Sequence, residues 1–319
     1  MREKKVLAVV LSYNSVLLTG ELFIKTIQSL KEQDHKELDV IVVDNCSKDN
    51  SIEEINEKFP GLRVIRLKKN KATMGYNKGI EIFLKNDYDY LLLCNNDIIF
   101  EKDFISSMAE FADKIPEAGL ITPRMMMLSD KNIYNSTGIV INRTGFAWDR
   151  NFNERESDIG IPKSSEAAAA SGGAMFCTKS AINAVKGFDP LYHAYYEDVD
   201  FSVRMKRKTN LRIFYNSKAV CYHAFSKSWG ENPLKEFFMI RNMYIFVLTH
   251  FKFKMAVKSM RFFIFNVKHN DEKLNRKIFF SLFILSPLIL ARRIKYSFMK
   301  PLQESELENF AGFPDLSNK

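Results

Sequence analysis

YLLLCNNDIIF, residues 90–100, runs five apolar residues straight into two amides and a carboxylate. The apolar part is too short for a helix and does not alternate, which predicts a strand buried on both faces. The same kind of run recurs at 6–11 (VLAVVL), 38–43 (LDVIVV), 62–67 (LRVIRL) and 118–121 (AGLI). Segments with helical spacing separate them. Phe23, Ile27 and Leu30 mark one. Ile52, Ile55 and Phe59 mark another, with Ser51 and Glu54 in capping-box spacing, and 74–85 and 101–113 complete the set. Strands and helices in alternation require crossover connections and therefore a parallel sheet, so the fold class is α/β.

In an open parallel sheet, ligands bind beyond the carboxyl ends of the strands. The polar residues that end these runs are Ser12, Tyr13 and Asn14, then Asp44 and Asn45, then Asn95, Asn96 and Asp97. Asp44 alone reads equally as a turn former or a ligand. The whole set on one edge favours a site. The first turn, SYNSV, is not a glycine fingerprint for dinucleotides, and no P-loop is present. NKATMGYNKG (Asn70 to Gly79) offers small and amide side chains before a helix, where a nucleotide can approach the backbone closely.

From 123 to 170 the pattern breaks into loops with a hairpin or two. A strand at 174–177, a helix at 179–186, the turn GFDP and two short strands at 211–215 and 218–222 follow. Between the turn and those strands lies YYEDVD (195–200), which packs Glu197, Asp198 and Asp200 into four positions and opens a helix to about Lys208. Negative charge is favoured at a helix start, yet carboxylates this close raise one another's pKa unless a cation is near. A divalent metal with a diphosphate supplies one, and Asp97 and His223, each ending an apolar run, are its candidate ligands. One carboxylate kept ionised there can act as a general base. Taken alone, the acidic segment reads as a solvated helix start.

From 233 onward the character changes, giving two parts: 1–232, and a basic, apolar, helical C-terminal region, 233–319. Residues 241–300 carry thirteen Lys and Arg against two Asp and Glu, more than the whole net charge of +9. Fourteen uncharged residues, Ile278 to Ala291, sit between basic pairs with Pro287 inside. A spanning helix needs about 20 apolar residues. The pattern predicts a helix lying on an anionic membrane surface, with a cap packed on the main part as the other option. Basic residues interleaved with Phe and Ile argue against a nucleic-acid partner. Pro233 suits the first turn of the helix that opens this region. Four scattered cysteines without a CxxC pair, and an N-terminal apolar run too short for a signal peptide, fit a cytoplasmic protein. Oligomeric state is left open.

Taken in order, the motifs resemble glycosyltransferase family 2, inverting enzymes of the GT-A fold that use nucleotide sugars. The pieces are LSYN (11–14), the SL..Q helix at 29–33, VVDNCSKDNS (42–51), the Asn70/Gly75/Asn77/Gly79 loop, LLLCNNDIIF (91–100), SGGAMF (171–176), KGFDP (186–190), YEDVDFSVR (196–204), HAFSKS (223–228) and the Arg241-Asn242 pair. Their grouping is most similar to the rhamnosyl- and galactofuranosyltransferase branch. The resemblance implies a Rossmann-like, mostly parallel GT-A sheet with a C-terminal helical extension. It implies donor binding by Ser12, Tyr13, Asn14, Asp44, Asn70, Gly75, Asn77, Asn95 and Asn96, with Asp44 on the base. It further implies Mn2+ or Mg2+ on Asp97 and His223, Asp198 as catalytic base, and Gly173, Glu197, Asp200 and Arg204 around the sugar or acceptor. Asn95 stands where the family's D-x-D motif has its first carboxylate. The implied activity is sugar transfer from a UDP- or dTDP-sugar to a glycan or lipid-linked acceptor at the inner face of the cell membrane, building surface polysaccharide such as capsule or O-antigen. A nucleotidyltransferase, or a non-catalytic nucleotide-sugar binder at the membrane, is the alternative.

Overall fold

The structure, a computed structural model, describes residues 3–225, 234–266, 272–303 and 307. The N-terminal elements are β1 (Val6–Ser12), α1 (Ser15–Thr19), α2 (Glu21–Lys31), β2 (Leu38–Asp44), α3 (Ser51–Lys58), β3 (Arg63–Arg66), a 3-10 turn (Ala72–Gly75), α4 (Tyr76–Lys85), β4 (Tyr90–Cys94), β5 (Ile98–Phe100), α5 (Phe104–Lys114) and β6 (Ala118–Met127). Next come β7 (Tyr134–Ser136), a small hairpin of β8 (Ile139–Ile141) and β9 (Ala147–Asp149), α6 (Glu156–Ile159), β10 (Ser165–Glu166), β11 (Ala174–Thr178), α7 (Lys179–Val185), α8 (Glu197–Lys208) and β12 (Arg212–His223). The helices described after that are α9 (Leu234–His250), α10 (Phe253–Asn266) and α11 (Glu272–Ser297).

The main sheet has the order β10-β12-β6-β11-β4-β1-β2-β3, with β5 added to β12 and β7 to β6. β4, β1, β2 and β3 run parallel, as do β6 and β12, while β11 enters antiparallel between β4 and β6. The apolar runs lack alternation because both faces are covered. Val6, Ala8 and Val10 pack with Phe23, Ile27, Leu30 and Phe104 on one face, and Leu7 and Val9 with Ile80, Phe83 and Ile182 on the other. The expected strands at 211–215 and 218–222 are one strand, β12, whose pairing with β6 slips between Asn216 and Val220. The capping box does not form. Ser51 is already helical, and its Oγ donates to Asp49 Oδ1 at 2.6 Å and accepts from Val16 N at 3.0 Å. Pro233 lies outside the described residues.

Helix α4 approaches the sheet most closely at Gly79. A Cβ there would sit 2.6 and 2.7 Å from the two γ-carbons of Val9, a β-branched residue with no exposure on a central strand. Gly79→Ala gains about 1 kcal/mol of helix propensity but must displace that contact, at about 1–3 kcal/mol. The expected outcome is a net loss of up to about 2 kcal/mol in denaturant unfolding. An increase in stability would mean the helix can move off the strand.

The C-terminal helices build a third core. Tyr192, Tyr196, Val199 and Val203 of the α8 region pack there with Tyr244, Phe246 and Val247 of α9 and with Ile278, Leu282 and Ile289 of α11. Helix α11 runs through Pro287 for 26 residues, well beyond the uncharged run, and is long and apolar enough to cross a membrane, with a mean hydropathy of 1.5 over its best 18 residues. Ile278, Leu282, Ile289 and Tyr296 face inward, while Phe279, Phe280, Phe283, Ile284, Leu288, Leu290 and Ile294 are exposed. The helix is therefore apolar on both sides.

Candidate active site

The loops after β1, β2 and β4 meet at one edge of the sheet. Asn45 N donates to Ser12 O at 2.7 Å, and Asn96 Nδ2 to Ser15 Oγ at 2.5 Å. Asn14 adopts a left-handed conformation (φ 45°), its N–H on Ser47 Oγ at 2.8 Å and its Oδ1 accepting from Lys48 N at 2.8 Å. Asp44 has no exposure. It accepts from Ser47 N at 3.2 Å and lies 3.4 Å from Arg66 Nε. Asn45 ties the neighbouring loop down through Asn70 Oδ1 at 3.0 Å and Ala72 O at 2.9 Å. A Cβ on Gly75 would meet Leu11 Cδ1 at 2.5 Å, so a larger residue there would have to turn the Leu11 side chain aside. Tyr13 stands exposed at the rim.

The second cluster lies under β11 and β12. Asp97, fully buried, places Oδ1 3.2 Å from His223 Nε2. His223 Nδ1 meets Asn135 Oδ1 at 2.7 Å, and in this amide orientation Nδ1 carries the proton. His223 Nε2 then faces a carboxylate oxygen, and a proton or a divalent cation between the two would satisfy both. Among the described residues no three His, Cys, Asp or Glu side chains gather as a metal cage. Two protein ligands suit a cation whose remaining positions go to phosphate oxygens and water. Asn95 Oδ1 accepts from the Tyr76 hydroxyl at 3.1 Å.

Residues 172 and 173 join this cluster to the acidic segment. Gly172 N donates to Asp198 Oδ2 at 2.8 Å, and Gly173 O accepts from Asn95 N at 2.9 Å. Asp198 also receives Val199 N at 2.8 Å. Burial pushes the Asp198 carboxyl up to about 6, with Asp149 adding repulsion, and burial holds Glu197 well above the usual carboxylate range. Above about pH 6 Asp198 loses its proton and can accept another. A strained turn aims it. His193, Tyr195 and Tyr196 all have φ between 61° and 66°. Asn242 Nδ2, buried, holds that turn by donating to the carbonyls of Tyr192, Ala194 and Tyr195 at 2.6–2.7 Å.

Three expected ligands face elsewhere. Asn77 clamps Phe188, its Nδ2 on Phe188 O at 3.1 Å and its Oδ1 on Phe188 N at 2.8 Å. Asp200 and Arg204 are buried beneath the site. Asp200 Oδ2 takes Arg204 Nε at 2.6 Å, and Asp200 Oδ1 takes His250 Nε2 at 2.9 Å. The reason is geometric: residues two apart on a helix point about 200° away from each other, so Asp198 and Asp200 cannot share a face. His250 Nδ1 faces Arg207 Nη1 at 3.1 Å, and burial lowers its pKa, so the ring is neutral and donates from Nε2. Tyr76, Asn135 and Asp149 were not expected at the site. Tyr76 lies inside the Asn70–Gly79 loop, between Gly75 and Asn77, whereas Asn135 and Asp149 sit in a segment without a motif and are brought in by contacts between residues far apart in sequence.

Known proteins resemble this chain in sequence and in fold. The Glycosyl transferase family 2 model matches residues 8–177. Two curated relatives, the N-acetylglucosaminyl-diphospho-decaprenol L-rhamnosyltransferases of Mycobacterium tuberculosis strains CDC 1551 / Oshkosh and ATCC 25618 / H37Rv, are each 23% identical over 230 residues, covering 64% of this chain and 72% of theirs. Among solved structures, S. aureus TarS 1–349 superposes with a TM-score of 0.54 at 17% identity over 92% of this chain and 88% of that one. GalNAc-T7 with UDP, GalNAc and Mn2+ gives 0.56 at 11% identity over 76% of this chain, which spans about half (51%) of that structure. These likenesses establish the GT-A fold. With a family match over more than half of its length on that fold, the chain belongs to glycosyltransferase family 2.

Proposed function

We propose that the chain is an inverting transferase that moves a sugar, rhamnose being the leading candidate, from a UDP- or dTDP-sugar to a glycan or lipid-linked acceptor in bacterial surface polysaccharide synthesis. The observation that carries this is the Gly172-Gly173 link, which ties Asp198 to Asn95, two residues before Asp97 of the Asp97–His223 pair. Asp198 accepts the proton of the acceptor hydroxyl as that oxygen attacks the anomeric carbon from the face opposite the leaving nucleotide. Ser12, Asn14, Asp44 and the Asn70–Gly75 loop take the nucleotide, and Asn95 and Asn96 its sugar. Mn2+ or Mg2+ on Asp97 and His223 would neutralise charge building on the departing diphosphate. Glu197, its carboxyl held above the usual carboxylate range by burial, and Gly173 border the acceptor. The rhamnosyltransferase relatives support the donor class, and the Mn2+ and UDP of GalNAc-T7 support the metal.

The basic, apolar C-terminal region supports peripheral binding at the inner face of the cell membrane, where a lipid-linked acceptor would lie. Calorimetry with UDP- and dTDP-sugars, with Mn2+ or with chelator, tests the site. One nucleotide sugar is expected to bind with metal, and Asp97→Asn to weaken metal-dependent binding by about tenfold or more. Equal affinity in chelator would remove the metal from the assignment, and no binding under any condition would remove the function.

A further inference from the structure

Arg241 is buried, with 8% exposure, in the middle of an apolar helix. Its Nε and Nη2 donate to Asn242 Oδ1 at 2.9 and 2.7 Å, and Nη2 also to Tyr192 O at 3.2 Å. Its guanidinium lies over the rings of Phe237 and Phe238, 5.4 and 4.8 Å from their centroids. Among the described residues no carboxylate stands within 4 Å of it. Burial lowers its pKa to about 10. An arginine kept this dry without a counter-ion is costly unless an anion completes it. Its neighbour Arg292 is, by contrast, neutralised by Asp189 at 2.5 and 3.0 Å.

Arg241 lines a cleft of about 420 Å3 between the loop after GFDP and the inner sides of α9 and α11. That volume is within the roughly 300–1,000 Å3 of small-ligand sites. Leu191, Phe238, Leu285 and Leu288 supply apolar wall. Leu288, half exposed, belongs also to the outer apolar stripe of α11, so the cleft opens onto that stripe. At its other end Arg241 and Asn242 hold the carbonyls of the turn that aims Asp198. The cleft, which His193 and the Asp189-paired Arg292 also line, thus joins buried Arg241 to a largely apolar path that leads outward from the acceptor side of the site.

We infer that this cleft binds the phosphate-bearing carrier lipid of the acceptor, its phosphate or diphosphate on Arg241 and its chain along Leu191, Leu285 and Leu288. This rests on the transferase function proposed above and names its acceptor class as a sugar on a polyisoprenoid-type or other long-chain phosphate. Bound there, the carrier places the sugar hydroxyl toward Asp198 while its tail leaves between α9 and α11.

The test uses the full chain and farnesyl diphosphate as a short soluble probe, with farnesol, inorganic pyrophosphate and phosphatidylglycerol vesicles beside it, all without nucleotide sugar. Farnesyl diphosphate is expected to bind at least about tenfold more tightly than farnesol or pyrophosphate. Arg241→Gln is expected to weaken it by about tenfold or more. Because Arg241 also supports the turn, Leu288→Glu provides a second variant at a half-exposed position. It is expected to weaken the probe similarly while nucleotide-sugar binding, the check on folding, stays unchanged. Equal binding of the probe to wild type and both variants would overturn the proposal, as would farnesol binding as tightly as the diphosphate. Loss of vesicle binding in Arg241→Gln, with no binding of farnesyl diphosphate to wild type, would assign the cation to the bilayer headgroups and also overturn it. Failure of wild type to bind any nucleotide sugar sinks the transferase function and leaves the probe result standing by itself.

Discussion

Replacing Asp198 with asparagine is expected to leave nucleotide-sugar affinity within about twofold and to lower turnover by a factor of about 10^2–10^4, the usual worth of a positioned general base. The substitution is nearly isosteric. Asparagine keeps an oxygen for Gly172 N or Val199 N, so the link to β11 survives while the proton acceptor is lost. The wild-type rate should fall as pH drops through about 6, because the carboxyl that burial raises to that value becomes protonated and can no longer accept. Stability moves the other way. A carboxyl whose pKa is higher in the fold than its ordinary 3.8 favours the folded state fully below pH 4, and that contribution is lost as pH rises toward 6. Asp198→Asn removes the buried charge, so its melting temperature at pH 7 should equal or exceed that of wild type. Retained turnover would remove Asp198 from the chemistry. A large fall in melting temperature would make it a structural residue.

Asp200→Ala is expected to cost about 3–5 kcal/mol of stability, the range for removing one partner of a fully buried ion pair. Asp200 has no exposure and answers two groups, Arg204 on its own helix and His250 on α9. Without it, among the described residues, Arg204 keeps only Gly187 O, at 3.0 Å, and its charge is left buried beside Phe201. Neutral His250 loses its acceptor. Asp200→Asn should be milder, since an amide oxygen can still accept one of these bonds. Urea unfolding measures both. A loss below about 1 kcal/mol in Asp200→Ala would mean water reaches the pair and screens it.

Local chemistry made part of this protein legible in its sequence. Strands covered on both faces cannot alternate, so VLAVVL and YLLLC declared the parallel half of the sheet. Asp44 and Asp97 were readable because a carboxylate ending such a run has to be answered by something. The entry of β11 between β4 and β6 was not legible, since AMFCT looks the same whichever way the strand runs. Asn135 was invisible for a similar reason. An amide in NSTG is a turn former by composition, and only the β6–β7 pairing carries it 88 residues along the chain to His223. For Asp200 and Arg204, the helical phase within EDVDFSVR already separated Asp200 from Asp198, and their i,i+4 spacing matched the ion pair they form.

The buried pairing of Asp200 with His250 also sets an order of events during synthesis. Domains emerging from the ribosome fold from the N-terminal end as their contacts become available. The sheet strands and α8 are made first, yet the turn that aims Asp198 waits for Asn242, Asp200 for His250, and Arg207 for the carbonyls of Tyr296 and Lys300. A nascent chain that has completed its whole sheet therefore has α8 packed on it through Phe201 and Met205, with the turn before that helix not yet tied down. The candidate site's geometry is completed last, by the same segment that carries the outward apolar stripe, so the fixed turn and the surface stripe come into being together.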